Sequence, residues 1–153
     1  MNLKKDNYII VEIIPTHVKK EKGFIAQISA LKLEGIKLID RFDYRINYNL
    51  IDNSDIRKMI DYDKEMFNYL DEKELILNLF KKWSQDYPLM LIDDTYTTNY
   101  LNTISNPKEL VFPYLNLKYS NDIFDRLIEK YHLQPSNHLV DLIYEAIIYE
   151  NNN

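Results

Sequence analysis

The chain predicts an α/β fold, a mixed sheet of about five strands with helices on its faces. Three observations point to it. A strand-forming apolar run opens the chain, YIIVEIIPT from Tyr8 to Thr16, with the single carboxylate Glu12 in its middle. Two further strand-like runs follow, joined by a Glu34–Gly35 turn. Beyond them helical and strand-like stretches alternate to the C-terminus, the order that gives strands joined by helical crossovers.

Each element has its own signal. GFIAQISALKL (Gly23 to Leu33) and IKLIDRFDYRIN (Ile36 to Asn47) read as an antiparallel hairpin, because so short a Glu-Gly connection leaves no room for a crossover. NSDIRKMIDYDKEMFNYL suggests two short helical pieces. DEKELILNLFKKWSQDY is a clearer helix, with Asp71 and Glu74 spaced as a capping box. Leu75, Ile76, Leu79, Phe80 and Trp83 form its apolar stripe, and Trp83 reads as core. Pro88 ends that helix, and LMLID (Leu89 to Asp93) reads as a short buried strand. Asp93 and Asp94 are good N-caps for a helix carrying Tyr100, Leu101 and Ile104. ELVFPYL reads as another strand, and NDIFDRLIEKYHL and NHLVDLIYEAIIYE as two closing helices. The first strand is expected at the centre, between Gly23–Leu33 and Leu89–Ile92, which suits its uninterrupted apolar character.

Composition sets the outer bounds. The 153 residues suit one domain, 1–153, with no repeat or linker, and 46% hydrophobic with 28% charged is ordinary globular composition. With no cysteine there is no disulfide, thiolate nucleophile or Cys-ligated zinc. The N-terminus lacks the look of a signal peptide and no apolar run approaches the roughly 20 residues of a membrane span, so a soluble, cytoplasmic protein is expected. A net charge of −5 with scattered lysines argues against a general binder of duplex nucleic acid. The HVKKEKG loop, with Lys19, Lys20 and Lys22, is the local exception: a solvated turn or a phosphate-contacting loop.

The order and wording of these segments resemble the 3′–5′ exonucleases of the DEDD superfamily, from about Tyr8 to Tyr149. That resemblance implies a ribonuclease H-like fold. YIIVEIIPT sits where the family has a strand ending in Asp-x-Glu-Thr-Thr, and FIAQISALKLEGIKLIDRFDYRIN looks like its hairpin. LMLIDDTYTTNYL takes the place of its His-Asn…Asp segment, and FDRLIEKYHLQPSNHLVDLIYEAIIY that of its closing helices. Such enzymes hold two divalent metals on acidic ligands, which activate a water and stabilise the leaving oxygen. Carried onto this chain, the first acid falls on Glu12 and the second on Ile14, where it is lost. The third lands on Thr97, with Asp93 and Asp94 one turn earlier, and the last matches Asp141. The general-base histidine is expected at Ser136, whereas His138 lies three residues before Asp141.

Two functional expectations follow from the resemblance. The first is a non-catalytic exonuclease-fold module that binds a protein partner or a nucleic-acid end and needs no cofactor, since loss of one ligand from a two-metal site cripples the whole. The alternative is a divergent, active metal-dependent exonuclease. It would use Glu12, Asp93, Asp94 and Asp141 around Mg²⁺ or Mn²⁺, with His138 as base. A scaffold subunit of a larger assembly is a third possibility. Each acid also has a plain structural role open to it: Glu12 as a hydrogen-bonded remnant, Asp93 and Asp94 as N-caps, Asp141 as a helix surface residue.

Overall fold

The computed structural model describes residues 4–16, 23–51, 68–91, 107–109, 128–133 and 139–152. The strands are β1 (Asn7–Pro15), β2 (Ile25–Glu34), β3 (Lys37–Ile46), β4 (Asn68–Leu70), β5 (Leu89–Leu91) and β6 (Pro107–Glu109). The labelled helices are α1 (Leu75–Ser84) and α2 (Leu139–Asn152), and residues 128–131 form a further helical turn. Among the described residues, six strands form one mixed sheet in the order β4-β3-β2-β1-β5-β6.

The first strand is interior, as its composition demands. It pairs antiparallel with β2 and parallel with β5, whose partners run from Ile9–Leu89 to Val11–Leu91. β2 and β3 form the expected hairpin. Its turn needs glycine: Gly35 has φ +62°, and a Cβ there would lie 2.4 Å from the carbonyl oxygen of Lys4. The Gly35 amide also donates to the Asp6 carbonyl at 2.9 Å, tying the turn to the start of the chain.

Alternation along β1 sends side chains to opposite faces. Ile9, Val11 and Ile13 pack with Ile28, Ala30 and Phe42 against Ile76 and Phe80 of α1. Tyr8 and Ile10 pack with Leu31 and Leu33 against Leu139, Leu142, Ile143 and Ile147 of α2. Two helices therefore cover the two faces of the sheet. Among the described residues no helix is long and apolar enough to cross a membrane.

Three local expectations need correction. Asn68–Leu70, in a stretch expected to be helical, is a strand. Its backbone groups are claimed by the exposed edge of β3, with which it pairs in parallel over Tyr44–Ile46. The capping box is absent: Glu74 is the N-cap with no side-chain cap bond. Asp71 instead accepts from the Asn47 side-chain amide at 3.0 Å, and the Leu75 amide bonds the Glu72 carbonyl at 3.2 Å. Leu75 stands 40% exposed, so the buried stripe of α1 starts at Ile76. β6 spans Pro107–Glu109; of the expected ELVFPYL strand only Glu109 is described, and the rest of that expectation lies outside the described residues.

Candidate functional site

The carboxylate of the first strand is not alone on its face. Antiparallel register places Glu12 opposite Ser29, and Ser29 opposite Asp43. Residues directly opposed in neighbouring strands share a face. The adjacent rows are Ile10–Leu31–Arg41 on one side and Ile14–Gln27–Arg45 on the other. Tyr8 and Ile10 place these rows on the α2 side of the sheet. A buried polar patch thus runs across three strands: Glu12, Ser29, Gln27, Asp43 and Arg45 all lie within the core.

Charge in this patch is compensated internally. The Arg41 Nη1 donates to Asp141 Oδ2 at 3.2 Å, while Nη2 donates to Asp141 Oδ1, so the guanidinium grips the α2 carboxylate as a two-pronged fork. The same Nη1 reaches Asp43 Oδ2 at 3.5 Å. Burial by itself would lower the Arg41 pKa; the hydrogen bond and charge of Asp141, followed by those of Asp43, outweigh it and hold it above its ordinary value. Further along β3, Arg45 donates to the Tyr69 hydroxyl and lies over that ring at 4.5 Å, so β4 covers its guanidinium. The Gln27 Nε2 donates to Ser29 Oγ at 3.2 Å, whereas its Oε1 meets no hydrogen-bond partner among the described residues.

On the far side of Asp141, one turn along α2, Glu145 has its pKa raised by desolvation and then by the Asp141 charge. At the C-terminal end of β1 the Thr16 amide bonds the Phe24 carbonyl at 2.8 Å, and the Phe24 amide returns to Thr16 Oγ1 at 2.9 Å. These bonds close the base of the segment that carries Lys19, Lys20 and Lys22. Those lysines lie outside the described residues, as do Asp93, Asp94, Thr97, Ser136 and His138.

Of the acids singled out in the sequence, Glu12 and Asp141 are both described. β1 and the first turn of α2 bring them to the same side of the sheet. Ile14 is 4% exposed and packs with Ala26, Ile46 and Ile51. Asp141 is held by a guanidinium, and among the described residues no three His, Cys, Asp or Glu side chains are grouped to hold an ion. Arg41, Asp43, Arg45, Gln27 and Ser29 were missed by sequence reasoning. For the three β3 residues the signal was the period-two pattern in RFDYR, which places Arg41, Asp43 and Arg45 on one face.

The chain matches no protein-family model and no curated protein.

Proposed function

We propose that this protein is a non-catalytic binding module on a ribonuclease H-like, exonuclease-type scaffold, and that it holds a protein partner or a nucleic-acid end. The scaffold assignment is supported by the order β3-β2-β1-β5-β6, with an antiparallel three-strand meander followed by parallel strands. The non-catalytic assignment is carried by Ile14. Where an exonuclease of this type needs a second carboxylate beside the first, the chain buries an isoleucine in an apolar cluster. A hard cation gains nothing from such a neighbour.

A protein partner is the better fit of the two. The net charge of −5 opposes the phosphate backbone, while Leu38, Ile39, Tyr69 and Tyr149 present apolar or aromatic surface. The competing reading, an active Mg²⁺- or Mn²⁺-dependent 3′–5′ exonuclease, draws on the shared face of Glu12 and Asp141 and would recruit His138 as base.

One experiment separates them. A labelled single-stranded oligonucleotide is incubated with Mn²⁺ and either wild type or Glu12→Gln, and both cleavage and anisotropy are followed. The expected result is an intact oligonucleotide with both proteins. Progressive shortening by wild type alone would overturn the non-catalytic reading. Tight, salt-sensitive binding without cleavage would move the partner from protein to nucleic acid.

A further inference from the structure

We propose that Arg41 is the built-in cation of this site, a clamp that binds Asp141 of α2 and Asp43 of β3 and closes the patch without a metal ion. The proposal rests on the non-catalytic reading and adds to it the cation that pairs the Asp43 and Asp141 carboxylates. Geometry is the first support. Two prongs of the guanidinium meet two oxygens of Asp141, and one of them also faces Asp43. Arginine is suited to the task, because its charge is permanent, its donors are planar and its hydration is weaker than that of an ammonium.

Placement is the second support. α2 lies on β1 and β2 through apolar side chains, whereas Arg41 ties its first turn to β3, the next strand out. Tyr144, one turn further along, donates its hydroxyl to the Ile36 carbonyl at 3.1 Å and secures the same helix to the β2–β3 turn. Function follows from the difference between the two kinds of cation. A divalent ion offers open positions at which a water is bound and activated. A guanidinium offers only N–H donors, and here the forked pair is spent on carboxylates. The clamp therefore keeps charge balance and helix position while supplying no Lewis acid.

Thermal melts of the full chain test this, with wild type, Arg41→Met, Arg41→Lys and the double variant Arg41→Met/Asp141→Asn, each in EDTA and in millimolar Mn²⁺. Wild type is expected to melt at the same temperature in both. Arg41→Met should melt about 1–4 °C lower in EDTA, as expected for a partly exposed charge pair in a chain of this size. Mn²⁺ should return about half of that loss, since the freed carboxylates then bind the ion and mass action favours the folded state. The double variant should show no Mn²⁺ response. Arg41→Lys should lose part of the stability, because a point charge replaces the fork, and should ignore Mn²⁺.

An Arg41→Met protein that melts like wild type would overturn the clamp. So would a Mn²⁺ response of equal size in wild type and Arg41→Met. If Arg41→Met does not fold, Arg41→Lys decides: a Mn²⁺-reversible loss there would count against the proposal, and a Mn²⁺-insensitive loss for it. Oligonucleotide cleavage by wild type would sink the non-catalytic reading, while the melts would still judge the clamp.

Discussion

The two faces of the sheet come from the same strands and yet are chemically unlike. On the α1 side the core is apolar and aromatic: Phe42 meets Phe80 edge-on at 5.3 Å, and Trp83 tilts against both. It also holds a buried cation, Lys32. Lys32 stretches its ammonium to the Trp83 carbonyl and over the Trp83 ring at 4.6 Å, and Trp83 Nε1 donates to Asp40 at 2.9 Å. Tyr87 donates to Glu34 at 3.1 Å, fixing the chain after α1 to the hairpin. On the α2 side only one end is apolar, and the other is the Glu12–Ser29–Asp43 row with its two arginines.

Strand β3 shows how one segment serves both. Phe42 and Tyr44 point to α1, while Arg41, Asp43 and Arg45 point to the opposite face. Burying charge costs free energy that apolar packing does not, and a face selected only for stability would fill these positions with aliphatics. The α1 face comes nearer to that economy, with Lys32 as a buried charge at its Trp83 end. The polar end of the α2 face lacks it, so it is where function is to be sought.

Substitutions on the two faces should therefore behave differently, and the largest effect belongs to the α1 side. Phe80 is fully buried against Phe42 and Trp83. Phe80→Ala removes the centre of that packing and should cost about 3–4 kcal/mol in urea unfolding. It should leave partner binding per folded molecule unchanged. A loss under 1 kcal/mol, or a specific loss of binding, would erase the proposed division between the faces.

Glu12→Gln probes the other side with a smaller effect. The amide keeps the shape and one acceptor oxygen, and it removes the charge from a strand position only 9% exposed. Stability should change by no more than about 1 kcal/mol, with near-native circular dichroism, because the row retains a hydrogen-bonding group there. A loss of 3 kcal/mol or more, in the range of a broken buried ion pair, would show that Glu12 is bound as a charge and is no remnant.

This contrast was half legible in the sequence. β1, the β2–β3 hairpin, α1, β5 and α2 announce themselves by period and by turn residues, Gly35 above all. β4 does not, because three residues carry no period, and only pairing with Tyr44–Ile46 makes them a strand. Glu12 was conspicuous as a carboxylate in an apolar run. Asp43 was not, since alternation of polar and apolar residues in β3 is equally the mark of a strand with one solvated face. Only the register across β2 sets it in line with Glu12. The Arg41–Asp141 fork spans a hundred residues of chain, and no local pattern records such a partnership. Ile14 reads as apolar at once; that it packs with Ala26, Ile46 and Ile51 required the fold.

The smallest expected effect sits at the edge of the polar end and tests its charge balance. Glu145 is exposed, one helical turn from Asp141, and its pKa is raised above 4.5, first by desolvation and then by the Asp141 carboxylate. A raised folded-state pKa means that the folded protein prefers the protonated form. The associated stability is fully present below the unfolded value and is lost as pH rises through the folded one. At pH 7 the ionised side chain is therefore a slight burden, which glutamine lacks. Glu145→Gln should be more stable than wild type at pH 7 by a few tenths of a kcal/mol, discounted for solvent screening at an exposed pair. That advantage should vanish on acidification below about pH 4, where wild type carries the proton itself. Added salt should remove only the part due to Asp141, because screening does not act on desolvation. Paired urea melts at the two pH values read the difference directly. An advantage that grows as pH falls would mean that Glu145 is stabilised as a charge, and the balance drawn for this end of the face would have the wrong sign.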